Sequence, residues 1–185
     1  MDRLFWDEKE KAGYFNSRPN DSILIRMMEE QDGAEPCINS VAASNLVRLS
    51  RLLEREDFKE RAIDIFNGQG ERLSNYPFVL AKLCTALASM RNSVEITVVG
   101  PQSDDFIKKT LEMVRGKYLP YKSILFVDPT IEEHNFLERY NKDLIDHRDR
   151  FNGGSTKPYA LICRDNTCGF PTGDLNAFKR SLDSC

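Results

Sequence analysis

The chain has 185 residues, of which 41% are hydrophobic, enough to bury a core in one ordinary domain or two small ones. Its 26 lysines and arginines face 29 aspartates and glutamates, a formal net charge of -3, so neither nucleic acid nor an anionic membrane surface is expected as a partner. No apolar run approaches the roughly 20 residues that span a bilayer, and the charged opening from Met1 to Asp7 is unlike a secretory signal. A soluble chain of the cytoplasm is the expectation.

Gly13-Tyr14-Phe15-Asn16-Ser17 and Ile23-Leu24-Ile25-Arg26-Met27 are short β-prone runs on either side of a turn-forming Arg18-Pro19-Asn20-Asp21, which predicts an N-terminal β-hairpin. Asn20-Asp21-Ser22 matches a glycosylation acceptor, too short a motif to imply secretion. Next comes Asp32-Gly33-Ala34-Glu35-Pro36-Cys37-Ile38-Asn39-Ser40. Pro36 disfavours helix for the residue before it, and Asn39 or Ser40 offers an oxygen to the first free N–H groups, so a helix is predicted to start here. Asp32, Glu35 and Asn39 then gather at a helix mouth whose partial positive charge suits a polar or anionic ligand. Capping alone also accounts for them.

Ala42, Leu46, Leu49 and Leu53 form one apolar stripe. A second helix carries Phe58, Ala62, Ile65 and Phe66, ended by Asn67-Gly68-Gln69-Gly70. A third begins near Asn75-Tyr76-Pro77 and runs through Leu80, Leu83, Leu87 and Met90. Residues 1–92 therefore read as a helical region.

The pattern changes at Val94, opening a second domain, 93–185. Val94–Gly100 is a strand, Ser103-Asp104-Asp105 caps a helix bearing Ile107, Leu111, Val114 and Tyr118, and Ile124–Val127 is a strand covered on both faces. Thr130 and Glu133 make a capping box for a helix burying Phe136 or Leu137, Tyr140 and Leu144. Phe151-Asn152-Gly153-Gly154-Ser155 is a break, Tyr159–Cys163 a third strand, and Asp174 caps a last helix with Leu175, Phe178 and Leu182 inward. This alternation predicts a small βαβαβα domain with a three-stranded, mainly parallel sheet, and an α+β chain overall.

Among chemical candidates, Cys163 and Cys168 are separated by four residues that suit a turn, a spacing that permits a disulfide. It is not the CxxC of a thioredoxin site, and the plainer reading is a pair of inert thiols packed at the sheet end. The five cysteines are odd in number and dispersed, against a disulfide framework. Zinc would want about four Cys or His ligands, and the spacing of His134 and His147 does not suit shared ligation, so no metal is expected. Gly100-Pro101-Gln102-Ser103 lies where parallel sheets bind phosphates, but a single glycine there marks a tight strand-to-helix turn. No cofactor is implied.

Gly13-Tyr14-Phe15, Asp32–Pro36 with Asn39–Ala43, Tyr118-Leu119-Pro120 and Cys163–Cys168 occur together and in order. In this combination the chain resembles the C-terminal region of the thioredoxin-domain-containing family that includes spermatogenesis-associated protein 20 and bacterial relatives. The resemblance implies the end of an α/α toroid of the six-hairpin glycosidase type followed by an α/β segment, with a thioredoxin-like domain elsewhere in the family's full-length members. It implies that Tyr14, Asp32, Glu35 and Asn39 line a pocket for a sugar-like ligand, and that the missing toroid helices, the thioredoxin-like domain or a second copy cover exposed helix faces. Asp32 and Glu35 lie too close in sequence for the usual pair of glycosidase carboxylates, which flank the bond from opposite sides. A noncatalytic part of such a protein is the leading expectation. A thiol-disulfide redox module using Cys163 and Cys168 is one alternative, and part of an epimerase- or glycosidase-like enzyme is another.

Overall fold

A computed structural model describes residues 1–131, 140–153, 157–164 and 167–185. They separate into two units, Met1–Arg91 and Asn92–Cys185.

The first unit is helical: α1 (Asp2–Phe5), α2 (Ile38–Leu52), α3 (Glu56–Gly68), α4 (Gly70–Asn75), a 3-10 turn (Pro77–Leu80) and α5 (Ala81–Arg91). Ala42, Ala43, Leu46 and Val47 of α2 meet Ala62, Ile65 and Phe66 of α3, and Leu80, Leu83 and Ala86 close the same core. Small residues on α2 allow close helix approach. Leu49 turns out 39% exposed, so the predicted stripe is buried only in its first half. Helices α2 and α5 run in the same direction. Asp32 joins their N-terminal ends by accepting from the N–H groups of Cys37 and Lys82, and at the other end Arg51 Nη2 donates to the carbonyls of Ser89 and Met90. That guanidinium satisfies acceptors left open in the last turn of α5.

The expected N-terminal hairpin is not formed as a ladder. Tyr14 makes an isolated antiparallel bridge with Trp6, and between the two predicted strands Asn16 N–H donates to the Met27 carbonyl. Side chains take several other backbone groups: Arg26 donates to the Ser17 carbonyl, Asn16 Oδ1 accepts from Glu29 N–H, and Asn39 engages Tyr14. Side chain-to-backbone bonds of this kind compete with strand pairing. The start of α2 also differs from expectation. Cys37 is the N-cap, its sulfur accepting from Ser40 N–H at 3.4 Å, and Asn39 and Ser40 lie inside the helix.

The second unit contains β1 (Val94–Val99), α6 (Asp105–Gly116), β2 (Lys122–Val127), α7 (Lys142–Gly153), β3 (Tyr159–Arg164), β4 (Thr167–Cys168) and α8 (Leu175–Asp183). The sheet has four strands in the order β2-β1-β3-β4, not three. Only β1 and β2 are parallel. Val99 pairs with Tyr159 and Val94 with Arg164, so β3 runs antiparallel to β1, and β4 antiparallel to β3. A strand–helix alternation carries no information on the end from which a strand enters, and β4 is too short to show as a pattern.

Pleating divides the buried residues into two layers. Val94, Ile96 and Val98 pack with Ile107 and Val114 of α6 and Phe178 and Leu182 of α8. On the opposite face Thr97, Val99, Leu125, Val127, Tyr159 and Leu161 are buried, where α7 packs on β1 and β2 and contributes buried Leu144 and Phe151. Both helix caps predicted for α6 and α8 are made by aspartates: Asp104 accepts from Phe106 and Ile107 N–H, and Asp174 from Ala177 N–H. Tyr118 falls after the helix and is 88% exposed, and Tyr140 is 51% exposed, so neither is a core residue. Phe151, Asn152 and Gly153 belong to α7, so these residues of the expected break are helical; Gly154 and Ser155 lie outside the described residues. Glu133, Phe136 and Leu137, on which the expected capping box and its helix depend, lie outside the described residues, as does His134.

Candidate functional site

Tyr14 and Asn39 are brought together in the core. Asn39 Oδ1 accepts from Tyr14 N–H at 2.7 Å and its Nδ2 donates to the Tyr14 carbonyl at 3.0 Å, so one amide side chain satisfies both backbone groups of a buried residue. Gly13 makes this approach possible. Its φ is +145°, and a Cβ there would lie 2.5 Å from Asn39 Oδ1. The Tyr14 phenol donates to Asp2 Oδ1 at 2.8 Å, its ring meets Trp6 edge-on, and Arg61 both pairs with Asp2 and covers the Trp6 ring. Burial, then the hydrogen bond and negative charge of Asp2, push the Tyr14 phenol up to about 12, against a smaller opposing effect of Arg61.

Asp32 lies between two helix starts. Its Oδ1 accepts from Cys37 N–H at 2.9 Å and its Oδ2 from Lys82 N–H at 2.8 Å. Burial works to raise its pKa, but the donors supplied by Cys37, Ser40 and Lys82 outweigh burial and hold the carboxyl below its ordinary value. The helix-mouth anion expected at this position is thus the protein's own carboxylate. Glu35 stands apart from the other three candidates: it is exposed, and its backbone carbonyl accepts from Gly33 N–H.

At the carboxyl ends of β1 and β2, the Gly100–Ser103 turn is likewise closed from within. Gly100 has φ +149°, and a Cβ would come within 2.8 Å of Pro158 Cβ. Asp128 Oδ2 accepts from Gln102 N–H at 2.8 Å, while Oδ1 accepts from both the N–H and hydroxyl of Thr130. Burial opposes the Asp128 charge, and these donors more than offset it, so its carboxyl titrates below the usual range. The structure therefore places a carboxylate on the free N–H that a phosphate would otherwise use.

Beside this turn, His147 Nδ1 lies 3.0 Å from the Tyr159 hydroxyl. Burial lowers the proton affinity of His147 despite the nearby Asp143 and Asp146, and burial raises the Tyr159 phenol. The pair escapes sequence reading because His147 is an isolated histidine on a charged helix and Tyr159 reads as the first residue of an apolar strand.

Cys163 and Cys168 face each other across β3 and β4 and form a disulfide, with Cα atoms 4.0 Å apart. This corrects the expectation of two inert thiols. Strand pairing supplies the proximity: Gly169 N–H donates to the Ile162 carbonyl, which sets Cys163 and Cys168 directly opposite. Cys37, Cys84 and Cys185 are free. No cluster of three or more metal-ligating side chains occurs among the described residues, and no helix among them is long and apolar enough to cross a membrane.

The two units thus define an α+β chain with a helical part and a mixed-sheet part, and its one covalent cross-link lies in the latter among the described residues. No protein-family model matches the sequence. Rat spermatogenesis-associated protein 20 is 33% identical over 186 residues, covering 98% of this chain and 23% of that protein. The human protein of the same name is 29% identical over 185 residues, again 98% and 23%. A Caenorhabditis elegans protein, uncharacterized protein B0495.5, is 31% identical over 172 residues, 92% of this chain and 22% of the relative. Over most or all of its length the chain is thus homologous to a part of the proteins named spermatogenesis-associated protein 20. It spans a little under a quarter of the length of these curated relatives.

Proposed function

We propose that this chain corresponds to the C-terminal, noncatalytic part of a longer protein of the family, and that its helical unit is a segment of a larger helical ring of the six-hairpin type. One observation carries the reading: the polar atoms of Tyr14, Asp32 and Asn39 are engaged by fixed partners inside the unit. Groups held in this way position backbone and helix ends; they do not present a free acid, base or nucleophile to a substrate. Support for a covering partner comes from Leu24, Ile25, Met27 and Phe78, which are 99%, 76%, 65% and 77% exposed, and from the greater length of the relatives. The remaining helices of the ring, a thioredoxin-like domain or a second copy would cover such side chains. The relatives' name associates them with spermatogenesis, and the reading extends that association, and a cytoplasmic setting, to this chain.

The test is calorimetry of the chain with mono- and oligosaccharides, alone and mixed with the remaining portion of the rat protein expressed separately. Association of the two polypeptides with loss of hydrophobic-dye binding is the expected result, with sugar binding confined to the complex. Hydrolysis or epimerisation of a sugar by this chain alone would overturn the noncatalytic reading and favour the carbohydrate-active alternative. A dye-silent, monomeric chain with no affinity for the remainder would remove the ring.

A further inference from the structure

The Cys163–Cys168 disulfide lies in the sheet's terminal hairpin, in a setting that does not depend on it. Arg164 pairs with Thr167, Gly169 N–H donates to the Ile162 carbonyl, and Ala160 and Thr172 exchange two backbone hydrogen bonds at 2.9 Å each. These bonds hold the segment from Thr167 to Thr172 against β3 independently of the sulfur–sulfur bond. Beyond it, α8 is fixed by the Asp174 cap, by the burial of Phe178 and Leu182, and by Arg164 Nη1 donating to the Ser184 carbonyl. The cross-link closes a short stretch of chain, with a sequence separation of 5, so it removes little freedom from the unfolded chain compared with a long loop.

The two cysteines also differ in exposure. Cys168 is exposed on β4, whereas Cys163 is half-buried on β3. β4 is the outermost strand of the sheet, and the neighbouring Phe170 is 97% exposed. A thiol-bearing molecule thus reaches Cys168 from the open side.

We infer that Cys163–Cys168 is an exchange-active disulfide that accepts two electrons from a dithiol, with Cys168 Sγ as the atom attacked. In the first step a donor thiol, having released its proton, attacks Cys168 Sγ. A donor–Cys168 sulfur bond forms, the Cys163–Cys168 bond breaks, and its electron pair leaves on Cys163, which takes up a proton. The donor's second thiol then loses its proton and attacks the donor's first sulfur. Cys168 departs as a thiolate and is protonated. The donor ends as a disulfide and the protein as a dithiol, two electrons and two protons richer. Because the strand register survives, the two reduced thiols stay face to face, and re-oxidation remains an intramolecular step of high effective concentration. This inference goes beyond the noncatalytic reading above and stands on the hairpin alone.

Its test uses the full chain. Dithiothreitol under native conditions, followed by alkylation and peptide mass analysis, is expected to open the pair with circular dichroism unchanged. Re-oxidation by oxidised glutathione is expected to be at least about tenfold faster in the folded chain than in denaturant. Cys163→Ser, which leaves Cys168, should form a mixed disulfide with a single-thiol probe about tenfold faster than Cys168→Ser, which leaves the shielded thiol. The double serine variant, compared by circular dichroism and thermal melting, separates loss of exchange from loss of fold. Three results would each overturn the inference: a pair that opens only in denaturant, equal trapping rates in the two single variants, or free thiols at both positions in the oxidised chain.

Discussion

The helical unit and the sheet unit both bind backbone groups with polar side chains, and they differ in where the remaining chemically distinctive residues lie. In the first, Asn39, Asp32, Tyr14 and Asp2 point into the structure and bind backbone N–H and C=O groups or one another. In the second, the aspartates do similar work at helix starts and turns, but the disulfide-bonded pair Cys163–Cys168 lies in the hairpin at the sheet's edge. The difference teaches that a polar residue at a helix mouth is a poor pointer to chemistry when an unsatisfied backbone group lies within its reach. Residues whose backbone is already paired by strand register are released for other tasks.

The largest expected effect tests the inward wiring. Asn39→Ala leaves the Tyr14 N–H and C=O unpaired in the core and should lower stability by about 2–4 kcal/mol in urea unfolding; a loss under about 1 kcal/mol would show that water or another group replaces the amide. Asp32→Ala removes the acceptor shared by two helix starts, with an expected loss of about 1.5–3 kcal/mol. The sign of the pH effect follows from the lowered Asp32 carboxyl. Its contribution is present above the ordinary carboxylate value and is lost as pH falls through the lower native value. Asp32→Asn should therefore flatten the acid limb of the stability curve, and an unchanged limb would assign that limb to other carboxylates.

On the sheet side, replacing both Cys163 and Cys168 by serine should cost no more than about 2 kcal/mol, as expected for so short a closed loop. A much greater loss in thermal unfolding would make the cross-link the support of the hairpin and erase the contrast between the units. Tyr14 offers a probe that reports on wiring directly. Its phenol, pushed up to about 12, should ionise after the exposed tyrosines in a phenolate absorbance titration, and stability should fall as pH rises from about 10 through that native value. Substituting Phe for Asp2-bonded Tyr14 should delete this late step. Smallest of all, Glu35→Ala, at an exposed position, should change stability by less than about 0.5 kcal/mol.

Most helices were legible because apolar spacing reports a face. Ala42 and Leu46, Ala62, Ile65 and Phe66, and Leu80 and Leu83 all lie in one core, as their spacing implies. The aspartate caps of α6 and α8 were legible for a similar reason, since a cap acts within a few residues of itself. The N-terminal hairpin was misread because β-propensity reflects packing on a sheet, and here Asn16, Arg26 and Asn39 claim the backbone groups that a ladder would need. At the candidate site, Tyr14 and Asn39 were named as pocket-lining residues, and their direct bond to each other was not legible. It joins residues 25 apart in the chain, and Asp2 and Arg61 reach the same place from 59 residues apart.

The amino-acid order alone thus marked most of the helices and the three longer strands of the second unit, because these depend on local spacing and residue identity. Tertiary structure alone decided the direction of β3, the fourth strand, the pairing of Cys163 with Cys168 and the engagement of Asp32 by two helix starts. Those outcomes depend on which end of an element meets which neighbour, and that choice is made by the packing of both faces of the sheet and by backbone groups seeking partners across the fold.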